Sequence, residues 1–274
     1  MSTPIVFLID NGSLRPSATL ALRDLAEALS GRAGLPVEAV SLLHSHKVPA
    51  EALGGRPATI VKRRLRECIA GGQRHFIFLP LFLGPSLAIV DYLPSLIAEA
   101  RETQPELEVH IAPPLAGDDV DSPDLRLVQM LADQVRQLNP GKAAKVALVD
   151  HGTPIREVNR VRNAMAAQLE EALGSEVAAI RACSMERREG AAYAFNDPLL
   201  ENLGADHAFR GGHLILAMFF LLPGRHAGEG GDVAEIADGL TANHDFESVE
   251  IAPLLGEHPR LIDLLGDRLS SVWK

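Results

Sequence analysis

The chain is short of cysteine, of aromatic residues and of positive charge, and it has no long apolar run. Its two cysteines, Cys68 and Cys183, stand far apart and form no CxxC pair. That spacing argues against a disulfide framework or a structural zinc site. Lysine and arginine total 26 against 36 aspartates and glutamates, for a formal net charge of −10. A nucleic-acid binder needs a basic face, so that class drops out. Any anionic ligand then requires a locally basic pocket. The most apolar window, Phe76 to Val90, contains Pro80 and Pro85 and stops at Asp91, too short to cross a bilayer. The opening "MSTPIVFLID" enters a strand-like run with no basic leader. These absences predict a soluble, cytoplasmic protein that binds neither nucleic acid nor membrane. What is present is a globular composition, 47% hydrophobic and 23% charged. At 274 residues the chain can form one large domain or two ordinary ones.

A duplication organises it. "KVALVDHGTPIREVNRVR" from Lys145 matches "PIVFLIDNGSLRPSATLAL" from Pro4. Each is an apolar run, then Asp, a polar residue, Gly and a hydroxyl residue, then a helical pattern. The polar residue is Asn11 in the first copy and His151 in the second, 140 positions apart. "EVHIAPPLAG" and "SVEIAPLLGE" place Ile111 and Ile251 at the same offset of 140, and "FIFLPLFLGP" matches "LILAMFFLLP" with Phe82 and Phe220 offset by 138. A near-constant offset over three separated motifs marks a repeat. The halves are 1–140 and 141–274, joined through "LNPGKAAK", Leu138 to Lys145.

Within each half, strands and helices alternate. Ile5–Ile9, Val37–Leu43, Phe76–Leu83 and Val109–Ala112 read as buried strands. Ser17 is the expected cap of "ATLALRDLAEAL", and "TIVKRRLRECIAGG" stops at a glycine pair. "DYLPSLIAEARE" and "DLRLVQMLADQVRQL" complete the helices. The second half is expected to repeat the set, with strands Val146–Val149, Val177–Ile180, Leu214–Leu222 and Val249–Ala252 and helices between. Such alternation predicts an α/β fold with right-handed crossovers: two similar subdomains, each a small parallel sheet flanked by helices, facing a central cleft. Ligands bind beyond the carboxyl ends of such strands.

Three segments of the second half fall at those ends. They are "DHGT" with His151, "IRACSMERREG" with Cys183, Glu186, Arg187 and Arg188, and "FFLLPGRHAGEGGD" with Gly224, Arg225, His226, Glu229 and Asp232. Two histidines and a carboxylate suit a borderline divalent metal such as Fe, Co, Ni or Zn. The glycines around His226 permit close backbone approach. Arg187, Arg188 and Arg225 supply the positive charge that a carboxylated substrate requires. Glu186 reads equally as a ligand or as part of a solvated charge run, and Cys183 as a small buried hydrophobe. His44 and His46 in "LLHSHKVP" read as a polar loop or a second ligand pair; His207 and His213 read as structural.

With these motifs in order, the chain resembles the class II chelatases of siroheme and cobalamin biosynthesis, the sirohydrochlorin chelatases. "VALVDHGT" resembles their strand followed by His-Gly-Ser, and "HFIFLPLFLGPSLAIVDYLP" their second element. The resemblance covers almost the whole chain, once per half. It implies a lyase-type enzyme that inserts Fe or Co, with Ni as a further candidate, into sirohydrochlorin or a related tetrapyrrole. The metal is then a substrate, with no permanently bound cofactor. His151 and His226 match the family's two histidines and Glu186 its intervening glutamate; Arg187, Arg188, Arg225 and Gly224 become candidates for binding the substrate. In the first half the first histidine is replaced by Asn11 and the second by Leu87 or Ala88, so that half is expected to be catalytically silent. Thr153 stands where the family has Ser, and "RHAGEGGD" is longer than the family's His-to-Asp spacing. A monomer is expected, with a homodimer as the alternative assembly. The competing function is a carrier that holds a metal or tetrapyrrole without inserting anything.

Overall fold

A computed structural model describes residues 3–273. It contains two four-stranded sheets, both wholly parallel. The first sheet is built from β1 (Ile5–Asp10), β2 (Val37–Ser41), β3 (His75–Pro80) and β4 (Glu108–Ile111) in the order β2-β1-β3-β4. The second comprises β5 (Lys145–Asp150), β6 (Ala179–Ser184), β7 (His213–Met218) and β8 (Ser248–Ile251) in the order β6-β5-β7-β8. Each expected strand is present, shifted by a few residues. β3 and β7 end at Pro80 and Met218, short of the apolar runs that contain them.

The helices are α1 (Pro16–Ala33), α2 (Val61–Ala70), α3 (Leu93–Thr103), α4 (Leu125–Gln137), α5 (Arg156–Leu173), α6 (Asp232–Ala242) and α7 (Leu261–Val272). Ser17 does not cap α1. The cap position is Arg15, and Pro16 opens the helix, where its fixed φ and missing N–H cost nothing. α2 does stop at the glycine pair, Gly71 and Gly72. α3 is preceded by a π-helical turn, Ala88–Tyr92.

The second repeat departs from the first between β6 and β7. Where the first has α2, the second has two 3₁₀ turns, Ala191–Asn196 and Leu200–Ala205. The bridges Ser41–Ile60 and Ser184–Leu199 make Leu200 the counterpart of Val61, where α2 begins; Gly204 falls inside the equivalent span and lowers its helix propensity.

The chain divides into two compact units: residues 1–118 with 261–274, and residues 119–260. This division differs from the boundary between sequence repeats. α7 packs on α1 and β3 in the first unit, and α4 on α5 and β7 in the second. Arg268 fastens α7 by donating to the carbonyls of Pro114 and Leu115, while buried Gln134 of α4 donates to the carbonyl of Leu254 at 2.6 Å. In the first unit Phe7, Ile9, Phe76 and Phe78 of one sheet face meet Val61 and Leu65 of α2 and Leu93, Leu96 and Ile97 of α3. In the second, Ala147, Val149, Leu214 and Leu216 meet α6 and the 3₁₀ turns through Val233, Leu240, Leu200 and Leu203. The central strands β1, β3, β5 and β7 are buried, as parallel sheets require, whereas β4 and β8, expected to be buried, are edge strands left exposed or half-buried along their length. Among the described residues no helix is long and apolar enough to cross a membrane.

Candidate functional site

In the second unit the strand order reverses direction between β5 and β7, so the crevice beyond their carboxyl ends is where such a sheet accepts a ligand. His151 follows β5 directly and His226 lies in the loop after β7. Glu186 is brought alongside by register. Asp150 pairs with Ser184, and the ladder runs on as Met185 N–H donates to Asp150 O at 2.7 Å and Glu186 N–H to His151 O at 3.1 Å. Gly152 makes this possible. Its φ is +93°, and a Cβ there would sit 1.8 Å from the Glu186 carbonyl oxygen, so only glycine permits the two segments to pass so closely.

The two imidazoles meet edge to face, with centroids 4.5 Å apart and planes at 68°. His226 Nδ1 lies 2.5 Å from Asp232 Oδ2. Asp232 begins α6, where the helix N-terminus favours a carboxylate. A histidine whose Nδ1–H is held by a carboxylate presents its Nε2 lone pair outward, the usual arrangement behind a metal-binding imidazole. His151 Nδ1 is 3.0 Å from the Gly152 carbonyl, and its Nε2 is 3.4 Å from Glu186 Oε1. With Nδ1–H donating to that carbonyl, Nε2 carries a lone pair facing a carboxylate oxygen. Two electron-rich atoms so placed are reconciled by a proton or by a cation. All three side chains are open to solvent to a useful degree: His151 46%, Glu186 60% and His226 32%. Among the described residues, no group of three or more His, Cys, Asp and Glu is arranged as a finished metal cage.

The arginines divide by their partners. Arg187 donates through Nε to Asp197 at 2.8 Å and reaches the carbonyls of Arg188 and Gly190, so it braces its own loop. Arg188 lies over the ring of Tyr193, 5.8 Å from its centroid. Arg225 is exposed, at 76%, with Asp232 3.7 Å away. Gly224 accepts from Gly228 N–H and helps to fold the loop carrying His226. Glu229 is exposed at the tip of that loop. Cys183 is fully buried in the sheet core, and burial pushes its thiol well above its ordinary range. His213 pairs with Glu250 at 3.3 Å at the opposite strand end, and His207 is exposed in a turn.

The first unit repeats the backbone without the chemistry. Leu43 N–H donates to Asn11 O at 3.1 Å, as Glu186 does to His151. Gly12 has φ +91°, and a Cβ there would lie 1.8 Å from the Leu43 carbonyl oxygen. Leu43 is therefore the counterpart of Glu186, an equivalence that the local sequence hides and the hydrogen-bond register reveals. His44 is exposed at φ +61°, and His46 has a buried Nδ1 with no hydrogen-bond partner.

The sequence reading missed a buried layer behind His151. Asp150, Arg162, Ser184 and Asn196 are all buried there, and burial raises the Asp150 carboxyl above its usual range while Arg162 beside it pulls the other way. The signal for Arg162 was present: it falls on the apolar stripe of α5 with Val161, Met165 and Leu169.

The family model named CbiX matches the chain twice, over residues 5–138 and 145–272. Among solved structures, SirB from Bacillus subtilis with Fe3+ is similar over 98% of this chain and 95% of its own, at 15% identity and a TM-score of 0.68. The sirohydrochlorin chelatase SirB from Bacillus subtilis subspecies spizizenii in complex with cobalt gives the same coverage and identity at 0.67. CbiX, described as the terminal enzyme for biosynthesis of siroheme in denitrifying bacteria, is similar over the full length of both chains, at 12% identity and 0.56. No curated protein matches the chain in sequence. The twofold match of the family model, on a fold that carries the same strand-end turn twice, shows that this chain belongs to the CbiX family of class II chelatases, in an internally duplicated form.

Proposed function

We propose that the protein inserts a divalent metal ion, cobalt or iron, into sirohydrochlorin or a closely related tetrapyrrole, and that the second repeat performs the reaction. The observation that carries this reading is the pair of imidazoles, each with Nδ1 occupied by an oxygen partner and its ring 4.5 Å from the other, beside a carboxylate. The two Nε2 lone pairs and Glu186 form a donor set of the kind that a borderline divalent ion accepts. Such a set neutralises part of the ion's charge while leaving open positions for pyrrole nitrogens.

Insertion exchanges one divalent cation for two pyrrole N–H protons. Glu186, at 60% exposure, can take one proton and pass it to water, and a histidine released from the ion can take the other. The Asp232 carboxylate fixes the ring of His226 throughout. Arg225, and Arg188 over Tyr193, would meet peripheral carboxylates of the macrocycle, a reading supported by the exposure of Arg225, with Gly224 shaping the loop that carries His226. Arg187 contributes by bracing its own loop, the one that carries Arg188, through Asp197.

The test is multiple-turnover insertion at substoichiometric protein, with sirohydrochlorin and Co2+ or Fe2+, followed by the change in absorption. The expected result is a rate well above a protein-free blank, with many turnovers per chain. A rate equal to the blank, with one tetrapyrrole or one ion bound per chain, would replace the enzyme by a carrier.

A further inference from the structure

Arg162 is the largest of the fully buried side chains, at 2% exposure, and no step of metal insertion uses it. A guanidinium in that position is costly to desolvate and must be compensated by close partners. Its partners are distinctive. Nη1 donates to Ser184 Oγ at 2.6 Å and to the Asn196 carbonyl at 3.1 Å, and lies 3.7 Å from Asp150 Oδ1. Ser184 Oγ in turn donates to Asp150 Oδ1 at 2.5 Å. Nε and Nη2 both donate to Asn163 Oδ1.

These contacts join three segments at one point. Asp150 immediately precedes His151. Ser184 lies two residues before Glu186. Asn196 clamps the turn after His151 from both sides: Thr153 N–H donates to its Oδ1 at 3.0 Å, and its Nδ2 donates to Thr153 O at 2.9 Å. One guanidinium therefore fixes the ends of β5 and β6 and the 3₁₀ turn against each other, directly behind the histidine and the glutamate.

The first repeat supplies the control. α1 and α5 are both 18 residues long, and the repeat offset of 140 puts Leu22 where Arg162 stands. Leu22 is buried at 1%. The serine persists, since Asp10 pairs in register with Ser41 as Asp150 does with Ser184. The same fold is thus built around leucine where the strand ends carry Asn11 and Leu43, and around arginine where they carry His151 and Glu186. Filling space does not require the arginine.

We propose that Arg162 is a positioning residue: acting with Asn196, it sets the separation and aim of His151 and Glu186 for the incoming metal ion. The proposal rests on the metal-insertion reading of that site. Loss of a group that orients metal ligands commonly lowers metal affinity or activity by about 10- to 100-fold.

The variants are Arg162→Leu, Arg162→Lys and Asn196→Ala. The last removes the side-chain clamp on Thr153 but keeps the Asn196 carbonyl that Arg162 uses, so no buried charge is left unpaired; with Arg162→Lys it decides the matter should Arg162→Leu fail to fold. Three quantities are measured on the full chain: kcat and KM for tetrapyrrole in Co2+ insertion, Co2+ affinity from its visible absorption, and amide exchange in the segments 150–156 and 184–190. The expected result is kcat and Co2+ affinity each down by about tenfold or more in Arg162→Leu and Asn196→Ala, with KM for tetrapyrrole within about twofold because substrate contacts are untouched. Arg162→Lys should fall between, since it keeps the charge and loses the fork. Amide exchange at both segments should speed up in Asn196→Ala. Folded Asn196→Ala and Arg162→Lys proteins with wild-type kcat, Co2+ spectrum and exchange would reduce Arg162 to a structural filler. A KM increase with unchanged kcat would overturn the proposal in favour of a role in substrate binding. If wild-type protein binds Co2+ but never exceeds the blank rate, the function proposed above falls. The positioning proposal is then decided by Co2+ affinity and amide exchange.

Discussion

The two repeats use one backbone for two chemistries. Asp10 and Asp150 end equivalent strands, both buried, and both are followed by a residue whose carbonyl pairs with the neighbouring strand. Behind Asp150 stand Ser184 and a buried guanidinium; behind Asp10 stand Ser41 and leucine. Asp10 Oδ1 is left without a hydrogen-bond partner, and burial pushes its carboxyl above the usual range. Beyond the strands, one repeat presents two imidazoles and a carboxylate, the other Asn11 and Leu43. The difference teaches that the turn itself is a structural device. Gly12 and Gly152 serve it equally, whether or not anything reactive stands on it.

The sharpest way to break the comparison is to remove the imidazoles. His151→Ala and His226→Ala should each cut Co2+ insertion by at least about 100-fold, roughly 2.7 kcal/mol of transition-state stabilisation. Asn11→Ala and Leu43→Ala should leave it within about twofold. Equal losses in well-folded protein would show that both repeats take part.

A second contrast is in stability, with opposite signs expected. Asp150→Asn strands a buried guanidinium and should cost about 3 kcal/mol. Asp10→Asn should instead raise stability at pH 7, seen as an increase in Tm. The sign follows from linkage. Because burial raises its folded carboxyl above the unfolded one, Asp10 in the interval between the two holds a proton in the folded state that the unfolded chain has released. Its favourable share of stability is present below the ordinary carboxylate range near ~4 and is lost as pH rises through the folded value. Asparagine avoids that loss, so its advantage should vanish when the melts are repeated below about pH 4. A constant advantage at all pH values would mean that packing, not ionisation, is responsible.

Glu186→Gln is a smaller perturbation that keeps shape and removes charge. Insertion should slow about tenfold, 1.4 kcal/mol, while Co2+ still binds. Leu43→Gln in the other repeat should change nothing measurable in that assay. The mildest expected effects belong to the arginines. Arg225→Ala and Arg188→Ala should raise KM for the tetrapyrrole about threefold, with kcat nearly constant, because distant carboxylate contacts act as uniform binding. A kcat effect at constant KM would move the arginine to the reacting centre.

Much of this was legible in the chain. The central strands show as short apolar runs because both their faces are covered, and the duplication shows because the turns demand Asp-x-Gly at fixed spacing. His151 and His226 stand out beside those turns. Glu186 did not, since "MERRE" aligns poorly with its counterpart and only parallel register places it beside His151. The missing helix between β6 and β7 was hidden by an expectation of symmetry, although Gly204 weakens the span equivalent to α2. Arg162 was hidden by its neighbours: on an otherwise apolar helix stripe a charged residue looks like the start of the exposed face, and only its three buried partners show otherwise.

The exchange of α4 and α7 has a consequence for how this chain is made and cut. The first 140 residues leave the ribosome without the helix that lies on α1 and β3, because that helix, α7, is made only at residues 261–272. The first unit is therefore completed only once residues 119–260 have been made, and that uninterrupted stretch can fold earlier. A stop codon or protease cut near residue 260 would spare the unit that carries both histidines and expose the core of the other. Division at the repeat boundary, the natural place to choose from the sequence, would strip a helix from each.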